Sequence, residues 1–310
     1  MERNYVETPH NFQEINSYVI TEKAQIVQEV LCAEKCFFYD TCSFRKHANM
    51  AKPECFFEYV KRHQGIIFIT RCVLMELASI SGNLNLEYIA YVKRMHAAGI
   101  KVLVAFEEYV FDIMNVCFTT YAAINNYLSW AVRMVKHPTS TIQETLKKDE
   151  KLFEEVIKLD DITDGTLYKR FFVSVRADKK SDDNLGEELI AICIHILSHM
   201  IGEKDGKFCV ITEDKGAIGM IDHVFQKTNA LYRGKKIIIY STPKLVQHMY
   251  VEKILTEKQQ IEEMLRGGNN SGNIIVWGTE LYDIKNREIS ISCSELAEKI
   301  ATPNGIHIVY

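Results

Sequence analysis

Short apolar runs alternate along this chain with longer stretches of helical periodicity. The runs at 35–40, 66–70, 101–106, 170–175, 208–213 and 235–240 are bounded by turn residues. They predict strands buried on both faces of a parallel sheet. Between them the spacing predicts helices at about 53–62, 72–80, 86–98, 183–200, 216–228 and 243–266. Gly99 stops the third of these. A further helical stretch over 113–158 is broken at His137-Pro138, and Thr141 with Glu144 fits a capping box for its second half. Strands alternating with helices imply right-handed crossovers and an α/β fold, with a mainly parallel sheet between helices.

Ahead of the first strand, Ile15, Val19, Ile26, Val27 and Val30 suggest a helical extension over 1–34. The segment 266–272, Arg-Gly-Gly-Asn-Asn-Ser-Gly, reads as a linker. Beyond it, 273–282 and 287–293 predict a hairpin, followed by a short helix and a last strand at 306–310. The expected organisation is therefore 1–34, a core at 35–266 with a helical insertion at about 107–165, and a small β-rich extension at 273–310.

Composition narrows the class. Of 310 residues, 47% are hydrophobic and 25% charged, as in ordinary globular proteins. A net charge of −4 gives no global basic field, so any nucleic-acid contact must use a local patch. Residues 1–13 are polar and lack the apolar centre of a signal peptide, and no apolar run is long enough for a bilayer span. A cytoplasmic location without membrane attachment is the expectation. Nine cysteines, several inside apolar runs, with no CxxC pair, fit buried thiols in a reducing compartment. His195 and His199 lie one helical turn apart on an apolar helix, where a core role outweighs a metal pair.

Acidic residues follow the strands. Asp40 follows the first, Glu76 stands in the helix after the second, and Asp182, Asp183 and Glu187 open a later helix. Asp214 ends Ile211-Thr212-Glu213-Asp214. Ligands bind at the carboxyl ends of strands in open α/β sheets. Carboxylates gathered there repel one another unless a cation lies between them. A hard divalent ion, Mg²⁺ or Mn²⁺, fits such oxygen donors and would serve phosphodiester hydrolysis. Singly, each acid has a plainer use: Asp40 and Asp214 as helix caps, Asp183 and Glu187 as favourable charges at a helix N-terminus.

Together, Tyr39-Asp40-Thr41, Leu74-Met75-Glu76-Leu77, the run 183–191 (Asp-Asn-Leu-Gly-Glu-Glu-Leu-Ile-Ala) and Ile211-Thr212-Glu213-Asp214 resemble the PIN domain. That is a large family of metal-dependent nucleases, and the resemblance spans roughly 35–240. It implies metal-binding, catalytic acids at Asp40, Glu76, Asp214 and either Asp183 or Glu187, with Thr212 and Thr41 orienting them. The family commonly cleaves RNA, so RNA is the preferred substrate, while the residues themselves leave DNA open.

Cations stand beside each acid in sequence: Arg45, Lys46, Arg71, Lys179, Lys180 and Lys215 are the candidates for holding substrate phosphates. A haloacid-dehalogenase-like phosphatase is disfavoured, because it needs a second acid at position 42, which is Cys. The expectation is a metal-dependent nuclease, a ribonuclease by preference, with a toxin or defence role as a further hypothesis. The C-terminal extension is the candidate surface for a protein partner or self-association. The alternative is a catalytically silent relative that works as a binding or scaffold protein.

Overall fold

The computed structural model describes residues 4–50, 52–117, 120–135, 140–158, 166–180, 183–227, 234–267, 272–281 and 283–310. Five short strands form the central sheet: β1 (Lys35–Tyr39), β2 (Gly65–Thr70), β3 (Val102–Ala105), β4 (Phe208–Ile211) and β5 (Ile238–Tyr240). All pairings are parallel, in the order β3-β2-β1-β4-β5. The chain grows outward on one side of β1 and then restarts on the other. β1 and β4 therefore flank the point where the winding reverses, the position at which such sheets bind ligands.

Burial explains why these segments are strands. Cys36, Phe37, Phe38 and Tyr39 are all fully buried, as are Val102–Ala105 and Phe208–Ile211 almost entirely, so neither sheet face meets water. Phe38 stacks on Phe68 across β1 and β2 at 4.4 Å between ring centroids. The N-terminal segment packs against the open edge. Ile20 bridges to Leu103, with Ile20 N donating to Val102 O at 2.8 Å and Val104 N to Ile20 O at 2.9 Å. Helices Gln13–Asn16 and Lys23–Cys32 frame that bridge.

Three sequence expectations change. The run 170–175 lies inside the helix Thr166–Ala177. Its buried residues Leu167, Tyr168, Phe171, Phe172 and Val175 follow a helical stripe, which a five-residue window mistakes for a doubly buried strand. The expected helix over 243–266 is two, Thr242–Val251 and Lys258–Arg266. The break falls at Lys253, whose φ of 60° is incompatible with a continuing helix, and the second helix restarts with a capping box of Glu257 and Gln260. In the insertion, Ser140 and not Thr141 caps the helix Thr141–Lys148, accepting from Gln143 N at 3.2 Å. The break at His137-Pro138, Asp182 and most of the 266–272 linker lie outside the described residues.

A run of helices from Tyr109 to Ala177 separates β3 from the helix Leu185–Leu197. At the C-terminus, β6 (Asn273–Glu280), β7 (Arg287–Ser292) and β8 (Ile306–Ile308) form a small antiparallel sheet in the order β7-β6-β8, with the helix Cys293–Ala301 between the last two strands. It docks on the helix Thr242–Val251. Gln247 bonds Ile306 O at 2.7 Å and Ile308 N at 3.1 Å, and Lys244 pairs with Val309 O. Among the described residues no helix is long and apolar enough to cross a membrane.

Below the strand exits, His47 is fixed between Tyr39 Oη (2.6 Å to Nδ1) and Thr242 Oγ1 (3.0 Å to Nε2). It joins the helix Thr41–Ala48 to the one after β5. Burial pushes this imidazole down to about 4, against the opposing pull of Glu213. The folded state therefore holds fewer protons than the unfolded chain between about pH 6.5 and 4. The stability carried by neutral His47 is complete above that window and lost as pH falls through it. The expected contribution is about 3 kcal/mol. His47→Asn should be less stable at pH 7 and should lose less on acidification, as read from urea midpoints. An unchanged pH dependence would refute this assignment.

Candidate active site

The exits of β1 and β4 each deliver an acid to the ligand side of the sheet, and the helix after β2 brings another. Asp40 directly follows β1 and is 1% exposed. Its Oδ1 accepts from Thr41 N at 2.6 Å, which caps the helix Thr41–Ala48. Its Oδ2 accepts from Thr212 Oγ1 at 2.8 Å and Cys42 Sγ at 2.7 Å. Thr212 in turn accepts from Asp214 N at 3.1 Å, so one hydroxyl couples the exits of β1 and β4. Asp214 is exposed and caps the helix Lys215–Lys227 through Ala217 N, at 3.0 Å from Oδ1.

Glu76 reaches the same place from the helix Arg71–Leu77 after β2. That helix is anchored twice at its start, by Thr70 as cap and by Glu107, whose Oε1 accepts from Cys72 N at 2.8 Å. Glu107 is wholly buried and pairs with Arg176, which also holds Glu108 at 2.7 Å. The helix misread as a strand thus supplies the cation beneath the Glu76 helix. At its other end Glu76 Oε2 accepts from Thr41 Oγ1, and Arg45 Nη2 donates to Glu76 O at 2.6 Å.

At the start of the helix Leu185–Leu197 the two candidates for the remaining acid have different surroundings. Glu187 faces the other acids. Burial first, then the negative charges of Asp40, Glu76 and Asp214, push it up to about 8. Its Oε2 is buried with no hydrogen-bond partner among the described residues. Asp183 is instead saturated: it pairs with Lys179, accepts from Thr141 Oγ1 at 2.7 Å, and accepts from the amides of Lys180 and Leu185 at 2.8 and 3.1 Å. Burial would raise Asp183, but these donors outweigh it and hold the carboxyl below its ordinary value. Asp40 moves the other way, raised by burial and by Glu76 despite its hydrogen bonds from Cys42 and Thr212.

The candidate phosphate-binding cations divide into two groups. Arg45, Lys180 and Lys215 are exposed. Lys46 is largely covered and pairs with Glu213 at 2.9 Å. Arg71 is buried, its guanidinium 4.2 Å from the Phe106 ring centroid. The Lys179 side chain is 1% exposed and bridges Glu76 Oε1, at 2.8 Å, to Asp183. Neither Arg71 nor Lys179 is open to a polymer in this arrangement.

Gly186 escaped the sequence reading. A Cβ there would stand 2.8 Å from both carboxylate oxygens of Glu76, so the absence of a side chain lets that carboxylate lie against the first turn of the helix. The only trace in the sequence is a small residue beside the acid, in Asn184-Leu185-Gly186-Glu187. Among the described residues no group of three His, Cys, Asp or Glu side chains is already set to grip a metal ion.

Gly186→Ala tests the close approach. Alanine favours a helix over glycine by about 1 kcal/mol, which offsets only part of the cost of parting Glu76 from the buried Lys179, so the melting temperature should fall. The Glu76 carboxylate should leave Thr41 and Lys179. A crystal structure of the variant with Glu76 unmoved would refute the close-approach argument. In comparisons with known proteins, the chain matches no family model, no curated protein and no solved structure.

Proposed function

We propose that the chain is a metal-dependent nuclease with RNA as its preferred substrate, consistent with the motifs that resemble the PIN domain. One observation carries the reading: Asp40, Glu76 and Asp214 all act on Glu187, which has a buried oxygen without a hydrogen-bond partner among the described residues. Helix capping uses Asp40 and Asp214 but gives Glu187 no role, and hard oxygen donors of this kind suit Mg²⁺ or Mn²⁺. Asp40, Glu187 and Asp214 would hold the ion, with Glu76 beside them. A divalent ion there supplies Lewis-acid polarisation of a phosphoryl oxygen.

The remaining work falls to the chain's own groups. Thr212 fixes Asp40 and, through the Asp214 amide, the start of the next helix. Thr41 fixes Glu76. Arg45, Lys180 and Lys215 are the exposed cations left to position flanking phosphates, a role that sets register without reading sequence. A toxin or defence role would follow from cleavage of cellular RNA, and expression of the chain should then arrest growth of its host.

A second reading has its own support. No ready three-residue metal set exists among the described residues, and the C-terminal extension exposes Ile275 and Trp277 on β6 and Leu281 and Ile284 beyond its end. Those features suit a catalytically silent protein that binds a partner or a second copy through its C-terminal extension.

Turnover of labelled single-stranded RNA with Mg²⁺ or Mn²⁺ separates the two. Asp40→Asn and Asp214→Asn should each lower the rate by at least ~100-fold, the upper range for perturbing a metal site, with melting curves close to wild type. Unchanged rates in both variants would refute the assignment of the acids. No turnover of any RNA or DNA with either ion would leave the binding protein as the better description.

A further inference from the structure

At the exits of β2 and β3, on the far side of β1 from Asp214, two guanidinium groups share the ring of Phe106. Arg71 lies 4.2 Å from its centroid and Arg176 5.4 Å. Both side chains are buried, Arg71 being 7% and Arg176 1% exposed. Arg176 donates to the carboxylates of Glu107 and Glu108, yet its Nε has no partner among the described residues. Arg71 is less well served. Neither its Nε nor its Nη1 has a hydrogen-bond partner there, while Phe106 and Phe12 offer it only ring faces. A guanidinium does not shed its proton in a protein, so burying one without acceptors is costly.

Phe106 and Arg176 line an open cleft of about 700 Å³, within the size range of small-molecule sites. Val6, Phe111 and Val173 give it apolar walls. Its charged lining is Lys23, Lys169 and Arg176 against Glu108 and Asp112. Lys23 is already matched by Asp112, at 2.8 Å. With Arg71 and Glu107 added from behind Phe106, four cations face three carboxylates. One positive charge is left over, and the buried N–H groups without acceptors belong to Arg71 and Arg176. A planar set of N–H donors suits the paired oxygens of a carboxylate or a phosphodiester.

We propose that this cleft is a ligand site apart from the acids, taking a singly charged oxyanion on a small apolar body, with Arg71 and Arg176 as its anchors. A carboxylate and a phosphodiester share that chemistry. The oxygens accept from the unpartnered N–H groups, and the apolar body lies against Phe111 and Val173. Contact with Arg71 requires the half-buried Phe12 ring to turn aside from its guanidinium. The assignment depends neither on a bound metal ion nor on RNA cleavage.

Isothermal titration calorimetry of the full chain with benzoate, dimethyl phosphate and benzyl alcohol, without divalent ions, tests this. At least one of the two anions should bind saturably, and the tighter of them tells a carboxylate ligand from a phosphodiester. Benzyl alcohol, uncharged, should bind about tenfold more weakly or worse, the difference one charge-assisted hydrogen bond makes. Arg71→Met should weaken the anion by about the same factor. Lys169→Glu changes an exposed residue at the cleft and leaves the core intact, so it gives a reading even where Arg71→Met does not fold. It should weaken the anion about threefold or more. No saturable binding of either anion, benzyl alcohol as tight as the anions, or an affinity unchanged in either folded variant would overturn the site.

Discussion

Electrostatic repulsion at the exits of β1 and β4 is the constraint around which this molecule is arranged. A parallel sheet with the order β3-β2-β1-β4-β5 brings strand ends together from distant parts of the chain. When those ends carry Asp40, Asp214 and, from the neighbouring helices, Glu76 and Glu187, the fold must hold negative charges near one another in a partly dry setting. Its compensations are visible. Thr212 and Cys42 donate to Asp40, Thr41 to Glu76, and the buried Lys179 ties Glu76 to Asp183. Among the described residues Glu187 has no such donor at Oε2, and burial with the acids around it raises its pKa.

The same logic reaches beneath the site. The Glu76 helix begins on the buried Glu107, which would be costly alone and is neutralised by Arg176, 1% exposed. A buried pair of this kind adds little net stability, because desolvation cancels most of its attraction, but removing either partner strands a charge in the core. Its use here is positional. It fixes where the helix starts and hence where Glu76 ends.

The parallel sheet was legible because burial on both faces leaves a plain mark: β1 and β2 are uninterrupted apolar runs of strand length. The same rule failed at 170–175. There the apolar run is one crowded stretch of a helical stripe, and its partners at Leu167 and Tyr168 sit just upstream. The acids were legible as positions but not as contacts. Asp183 and Glu187 share a helix face in sequence, yet only the fold shows that Lys179, Thr141 and two amides consume Asp183 and leave Glu187 turned towards the others. Lys179 read as a candidate for holding phosphate because it stands beside the acids in sequence; its partner Glu76 lies more than a hundred positions earlier. The role of Gly186 depends likewise on an approach that no local pattern encodes.

Helix capping accounts for part of this arrangement and, by what it leaves over, argues for the rest. Asp40 and Asp214 do cap the helices that follow them. A cap needs an acceptor oxygen, and Asn or Ser provides one without a full negative charge. Were capping the whole purpose, neutral residues at both positions would stabilise the same helix starts and relieve Glu187 of two repulsive neighbours. Glu187 itself caps nothing in the described structure, and a leucine or alanine would suit the apolar helix Leu185–Leu197 better. Carboxyl groups at three positions that act on one another, where Asn, Leu or Ala would fold more easily, are left unexplained by stability alone.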